Sequence, residues 1–144
     1  MATGQRDTEK IVACNAFSRL RGKTQVAMFP SNDHVTDRLT HTLKVAMAAR
    51  RMARRLGLDE DIAEAMAVGH DLGHAPFGHL GESALASLSP DGFTHSSQSV
   101  RVIQYLENEG TGLDVSQAVL DGIATHSKGA GDFTAEPGLE HISP

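Results

Sequence analysis

Ten consecutive residues, His70-Asp71-Leu72-Gly73-His74-Ala75-Pro76-Phe77-Gly78-His79, hold three histidines and one aspartate among two glycines and a proline. A carboxylate beside a histidine offers a hard oxygen donor and a neutral nitrogen donor from a single backbone turn, a mixed set suited to a divalent metal ion. Gly73 and Gly78 let the backbone come close around a bound group. The His70/His74 spacing also matches the two histidines of the H-E-x-x-H zinc peptidase helix. That motif needs glutamate at its second position as general base, and the shorter Asp71 stands there. Gly73 within the motif and Pro76 just after it also oppose a long regular helix, so the peptidase reading is rejected. A second partial motif, Arg21-Gly22-Lys23-Thr24, has the ending of a phosphate-cradling P-loop. The required glycine five residues before Gly22 is replaced by Phe17, and a helical pattern precedes the run where a strand should, so this reading fails too.

His41 lies 29 residues before His70, within another helical pattern. Two long helices joined by a short turn at 57–59 run antiparallel. The first descends about 22 Å from His41 to Leu56 and the second returns about 16 Å from Asp59 to His70, at 1.5 Å per residue. His41 and His70 are therefore expected near the same end of a helical hairpin. Arg38, about one turn before His41, lies on the same face and within reach of an anion bound there.

The elements that must position these groups are read from apolar spacing. Glu9–Leu20 is helix-compatible through Ile11, Val12, Ala13, Ala16, Phe17 and Leu20, and stops near Gly22. Residues 22–34 read as a loop with a short strand-like piece at Val26–Phe29. A long helix is expected from about Asp33 to Leu56, with Val35, Leu39, Leu43, Ala46, Met47, Ala49, Met52, Ala53 and Leu56 as its buried stripe and Gly57 closing it. A second opens at Asp59–Glu60 and runs toward His70. Further helical patterns cover 78–88, 96–109 and 115–126, and the tail from Gly129 lacks periodicity. With no internal repeat and no alternating strand pattern, the fold class is all-α.

Composition bounds the rest. The chain has 144 residues, 40% hydrophobic and 22% charged, with eight histidines, one cysteine and no tryptophan. It is one domain's worth of ordinary globular protein, which excludes a disordered or collagen-like chain. Apolar runs such as Val45–Ala49 are too short for a membrane span. The polar N-terminus shows no secretory signal, and the single Cys14 fits a reducing compartment, so a cytoplasmic location is expected. Through Arg55 there are 11 Lys/Arg against 4 Asp/Glu, and from Leu56 onward 2 against 14. Such asymmetry can mark an anion-binding face, but the Arg-rich run 50–55 also reads as the solvated side of a helix. Nothing has the form of a nucleic-acid-binding tail.

The spaced His…His-Asp pattern resembles the HD superfamily of metal-dependent phosphohydrolases. More narrowly, four blocks in order resemble the deoxyguanosinetriphosphate triphosphohydrolase-like family: Ala16-Phe17-x-Arg19-Leu20-x-Gly22-Lys23-Thr24-Gln25-Val26, Arg38-Leu39-Thr40-His41-Thr42-Leu43, His70 to Glu82, and Gly92-Phe93-x-His95. They span about residues 6–128. The resemblance implies an all-α HD core and hydrolysis of a deoxynucleoside triphosphate of the dGTP kind to the deoxynucleoside and inorganic triphosphate. It implies His41, His70 and Asp71 as ligands of a divalent ion, Mg²⁺ or Mn²⁺ first, with Zn²⁺, Fe²⁺, Co²⁺ or Ni²⁺ as alternatives. It places Arg38, His74 and His79 around the phosphates, Gln25 on the deoxyribose 3′-hydroxyl, His95 as proton donor to the leaving sugar oxygen, and Glu82 as the acid that orients the active-site histidines. His126 follows a helix pattern the family also carries, while His34 and His141 have no assigned role. Partners implied are the nucleotide substrate and further copies of the full-length protein, with no membrane or nucleic acid.

These roles agree with what phosphorus chemistry needs: charge withdrawal by a metal, cations on non-bridging oxygens, and a histidine able to donate a proton near neutral pH. Plainer readings stand beside them: Arg38 as a surface helix residue, Gln25 as a turn residue, Glu82 as a first-turn charge at a helix dipole, and His95 as a helix cap. The family takes a fourth metal ligand, an aspartate on a helix beyond the matched stretch. Asp132 and Glu136 are the carboxylates available, without matching context, so residues 1–144 are expected to be the N-terminal part of one HD domain. Two alternatives stay open: an HD phosphatase or phosphodiesterase on another nucleotide, against which the Gln25 block argues, and a non-catalytic nucleotide-binding module.

Overall fold

A computed structural model describes residues 2–23 and 37–127 of the chain. Among them the elements are helices: α1 (Thr3–Ala13), α2 (Asn15–Arg19) running into a 3₁₀ turn (Leu20–Gly22), α3 (Arg38–Leu56), α4 (Glu60–Gly69), α5 (Gly78–Leu88), α6 (His95–Arg101) continuing as a π turn (Val102–Leu106), the single turn α7 (Glu107–Gly110), and α8 (Gln117–Thr125). The all-α class is as expected, and no described helix is long and apolar enough to cross a membrane. The expected Val26–Phe29 piece lies outside the described residues, as do Gln25, Asp132 and Glu136.

Local chemistry explains the boundaries that matter. Asp37 caps α3 by accepting from the Thr40 amide at 2.8 Å, so the helix begins at Arg38 and not near Asp33 as the apolar spacing suggested. Gly57 ends it in the left-handed region, at φ 68°. Asp59 then caps α4, accepting from the Asp61 and Ile62 amides at 2.9 and 3.0 Å. The α3–α4 hairpin that should bring His41 back to His70 is therefore built from a glycine stop and an aspartate start.

Helix α4 sits at the centre, packed against α1, α3 and α8. Its Ala65, Ala67, Val68 and Gly69 are buried with Ile11, Leu20, Leu72, Val100, Ile103, Val119 and Ile123. Gly69 lets the Ile123 side chain seat closely on α4, where a Cβ would force that side chain to shift. The expected α3 stripe needs correction. Thr42, Ala46 and Ala53 are buried and Leu39, Val45 and Ala49 partly so, whereas Leu43, Met47, Met52 and Leu56 are exposed. The close approach of α4 leaves room for small residues only, so the large apolar side chains fall outside the true seam. On the outer side, Arg50 pairs with Asp61 and Glu64, and Arg54 with Glu60. The basic run is a solvated face, as read, and part of the charge asymmetry is neutralised between neighbouring helices.

The predicted 96–109 helix is continuous only to Leu106. Asn108 and Glu109 both lie in the left-handed region, at φ 54° and 57°. This costly reversal brings the buried Glu107 carboxylate onto the Asn15 and Ala16 amides at 3.2 and 2.8 Å, tying α6 to α2. Cys14, buried beside this tie, has its thiol pKa raised by burial.

Candidate metal and phosphate site

The hairpin does what its lengths require. The His41 and His70 rings lie 5.7 Å apart, and the ligating atoms of His41, His70 and Asp71 all fall within 4.8 Å of one another. Asp71 is 2% exposed and forms the hub. Its Oδ2 accepts from Arg38 Nη1 at 2.8 Å, faces His70 Nε2 at 3.2 Å and lies 3.9 Å from His41 Nε2. Burial alone would raise the carboxyl pKa, but the His70 hydrogen bond and charge and the Arg38 guanidinium outweigh it and hold the group well below the usual carboxylate range.

Hydrogen directions decide what the donor set can hold. His70 Nδ1 lies 2.7 Å from the Ala67 carbonyl, which only accepts, so the proton of the neutral ring sits on Nδ1. The Nε2 lone pair then faces the Asp71 oxygen, and two acceptors at 3.2 Å need a cation between them. A proton can serve, and for that reason Asp71 and Ala67 raise the His70 pKa against the effect of burial. A divalent ion serves equally, and backbone anchoring of the non-ligating nitrogen is what a metal-binding histidine requires. His41 is lowered by burial, partly opposed by Asp71, which favours the neutral ligand form. The residues fit a divalent ion bound through two nitrogens and one carboxylate.

The remaining candidates surround this hub. Arg38 is 6% exposed, so the surface reading is excluded, and its Nε is buried without a partner among the described residues. His74 is buried, and burial followed by the Arg38 charge pushes its pKa down to about 4. His95 stacks on it with ring centroids 4.8 Å apart, and Asp71, His74 and His95 form a second group able to share an ion. Glu82 accepts from the His95 amide at 2.9 Å and meets its Nδ1 at 3.1 and 3.2 Å. The two plainer readings fall with this geometry. The cap of α6 is Thr94, which accepts from the Ser97 amide, and Glu82 stands beyond the first turn of α5 with its carboxylate committed to His95. Desolvation would raise the Glu82 pKa, but the His95 hydrogen bonds lower it. His79 is at the rim, its side chain 90% exposed and its Nδ1 3.8 Å from Glu82. Gln25 lies outside the described residues.

Together Arg38, His41, His70, Asp71, His74, His79, His95 and His126 line an open cleft of about 280 Å³. A larger cavity of about 360 Å³ reaches His74 from the α2 side and is lined by Arg19, Lys23, Gln98 and Glu107, among others, so His74 stands between the two. One residue that organises the cleft had no signal in the sequence. Ser99, fully buried, accepts from the Gly73 amide at 2.8 Å and points its hydroxyl at the His70 and His95 carbonyls, at 2.9 and 2.8 Å. It ties the loop after α4 to α6, and a Cβ at Gly73 would collide with that same backbone. A lone serine in a polar helix start gives no cue to such a role.

Comparison with known proteins gives a consistent picture. Residues 38–138 match the HD domain family. A deoxyguanosinetriphosphate triphosphohydrolase-like protein of Caldanaerobacter subterraneus subsp. tengcongensis is 52% identical over 139 residues, covering 96% of this chain and 41% of that protein. Proteins of the same description from Desulfatibacillum aliphaticivorans and Azorhizobium caulinodans are 57% and 49% identical, covering 88% and 92% of this chain. The chain spans 36% and 35% of those two relatives.

Proposed function

This chain belongs to the HD domain family, and on that premise we propose that it carries most of the active site of a divalent-metal-dependent hydrolase that converts a deoxynucleoside triphosphate, of the dGTP kind, to the deoxynucleoside and inorganic triphosphate. The observation that carries the reading is the convergence of Arg38 Nη1, His70 Nε2 and His41 Nε2 on one oxygen of Asp71. Similarity to proteins described as deoxyguanosinetriphosphate triphosphohydrolase-like supports the substrate class.

His41, His70 and Asp71 would hold the ion, which when bound withdraws charge from phosphorus and lowers the pKa of a water. Arg38 stands beside that position, so its guanidinium binds non-bridging phosphate oxygens and is presented in a buried, pre-arranged form. His74, with a pKa of about 4, is neutral near pH 7 and acts as a hydrogen-bonding wall of the phosphate cleft, not as a second cation. His79 closes the solvent side. Glu82 holds the His95 Nδ1 hydrogen, which orients the ring so that its other nitrogen handles the proton of the leaving sugar oxygen. Gln25 is assigned to the deoxyribose from the family resemblance.

The test is release of triphosphate from each deoxynucleoside triphosphate with Mg²⁺ or Mn²⁺, alongside metal titration. Turnover lost in His70→Ala and Asp71→Ala together with metal binding is the expected result. Release of monophosphate or of pyrophosphate would support a different nucleotide phosphohydrolase. Metal binding with no turnover of any nucleotide, by this chain or by a chain extended to the length of its relatives, would leave a binding module.

A further inference from the structure

His95 is gripped from two sides. Its Nδ1 faces Glu82 of α5. Its Nε2 faces His126 Nε2 at 3.0 Å and Ser127 Oγ at 2.9 Å, and His126 Nε2 lies 3.1 Å from the same hydroxyl. Both residues follow directly on α8. The His126 ring is itself anchored, its Nδ1 hydrogen-bonded to the Ile123 carbonyl, and Ile123 is fully buried against α4. We propose that His126 and Ser127 are positioning residues for His95, holding its Nε2 from the end of α8 until a substrate oxygen takes that place, while Glu82 holds its Nδ1 from α5.

Hydrogen directions make the clamp specific. Glu82 accepts, so the neutral His95 ring carries its hydrogen on Nδ1; the Ile123 carbonyl accepts, so neutral His126 does the same. Two Nε2 lone pairs then face each other across 3.0 Å, and the Ser127 hydroxyl is the rotatable donor that can serve either. An unrelated histidine at a helix end would satisfy the Ile123 carbonyl and have no reason to turn its other nitrogen to another ring. Glu82 fixes the tautomer of His95, and the contacts from α8 fix the tilt of its ring over His74 and make it depend on the seat of Ile123 against α4. This inference rests on the reading of His95 as the proton-handling residue, but the state of its ring can be measured without any turnover.

The experiment compares wild type with His126→Leu, Ser127→Ala, the double variant and the conservative His126→Gln, in this chain and in one of the relatives' length. Long-range ¹H–¹⁵N spectra should show the His95 Nε2 as a hydrogen-bonded nitrogen in wild type and shifted toward a free one in the double variant, with Nδ1–H kept by Glu82 and the global unfolding transition retained. Where the chain turns over a deoxynucleoside triphosphate, kcat should fall about 10²-fold in the double variant, the scale expected when a reacting group is misplaced by about an ångström. KM and Mn²⁺ content should stay within twofold, and His126→Gln, whose amide can donate to Nε2, should recover most of the loss. An unchanged His95 Nε2 resonance and unchanged kcat in the double variant would overturn the inference, as would a loss of turnover that merely follows loss of Mn²⁺. If wild type hydrolyses no nucleotide, the functional reading fails and the ring spectra alone decide this one.

Discussion

Helices α4 and α5 deliver the two halves of the cleft by opposite means. Helix α4 brings His70 and Asp71 from the middle of the molecule, with Ala65, Ala67, Val68 and Gly69 buried against three neighbouring helices. Helix α5 brings His79 and Glu82 and has no buried residue at all. It starts from Phe77, held at φ 64° with its ring 78% exposed, and leaves Leu80, Leu85 and Leu88 exposed. What fixes its position is the close seat of Gly81 on the Pro76 carbonyl and the Glu82 carboxylate on His95. The half that holds His70 and Asp71 thus inherits its rigidity from hydrophobic packing, whereas the half that holds His79 and Glu82 hangs on a few polar contacts. Packing is shared over many atoms, so its loss is graded; a polar tie is lost all at once.

The largest effect should come from the hub. Asp71→Ala leaves Arg38 buried and unpaired and should cost about 3–5 kcal/mol, the usual penalty for breaking one side of a buried pair, besides abolishing metal binding. Urea unfolding with and without Mn²⁺ measures both, and a variant as stable as wild type would show that Arg38 escapes to solvent. Next is the core behind α4. Ile123→Ala removes the side chain seated on Gly69 and should cost about 2–5 kcal/mol, and it should also loosen His126, whose ring hangs from the Ile123 carbonyl.

Glu82→Gln tests the other half. It should cost less in global stability, about 1.5–3 kcal/mol for hydrogen bonds to a charged group. The characteristic result would be faster amide exchange confined to α5, with α4 protection unchanged. Exchange that rises equally in both helices would mean that they are not separately held.

A pH dependence separates the halves further. His74 takes up a proton at 6.5 when unfolded and only near 4 in the fold, so the unfolded state binds more protons between these values. Stability present above about pH 6.5 is therefore lost as pH falls toward 4. His41 and His126, both lowered by burial, act in the same sense. His70, raised by Asp71, opposes them, its contribution being present at low pH and fading as pH rises through its folded value. His74→Gln should flatten the slope of the unfolding midpoint between pH 6.5 and 4; an unchanged slope would place the titration elsewhere. The smallest effect belongs to Leu88→Ala on the exposed side of α5, expected within about 0.5 kcal/mol of wild type and leaving Mn²⁺ binding as it was.

Much of this was legible in the chain itself. Helix class, the glycine stop at 57, the aspartate start at 59 and the meeting of His41 with His70-Asp71 follow from local rules and from element length, which act within a few residues or along one rigid rod. The burial of Arg38, the Thr94 cap that displaces His95 from that role, and the exposure of Met47, Met52 and Leu56 do not follow. They depend on which face of α3 packs on α4 and on the Glu82 tie between α5 and α6, and the small buried residues of α3, Ala46 and Ala53, read as weak signal in a periodicity. The ties that finish the cleft, Ser99 to Gly73 and His126 with Ser127 to His95, join positions 26 to 32 residues apart. Residue type and spacing determined which chemistry this protein can hold. Tertiary packing decided which nitrogen of His95 faces it, because that hydrogen-bond direction is fixed by Glu82, a partner that arrives from another helix.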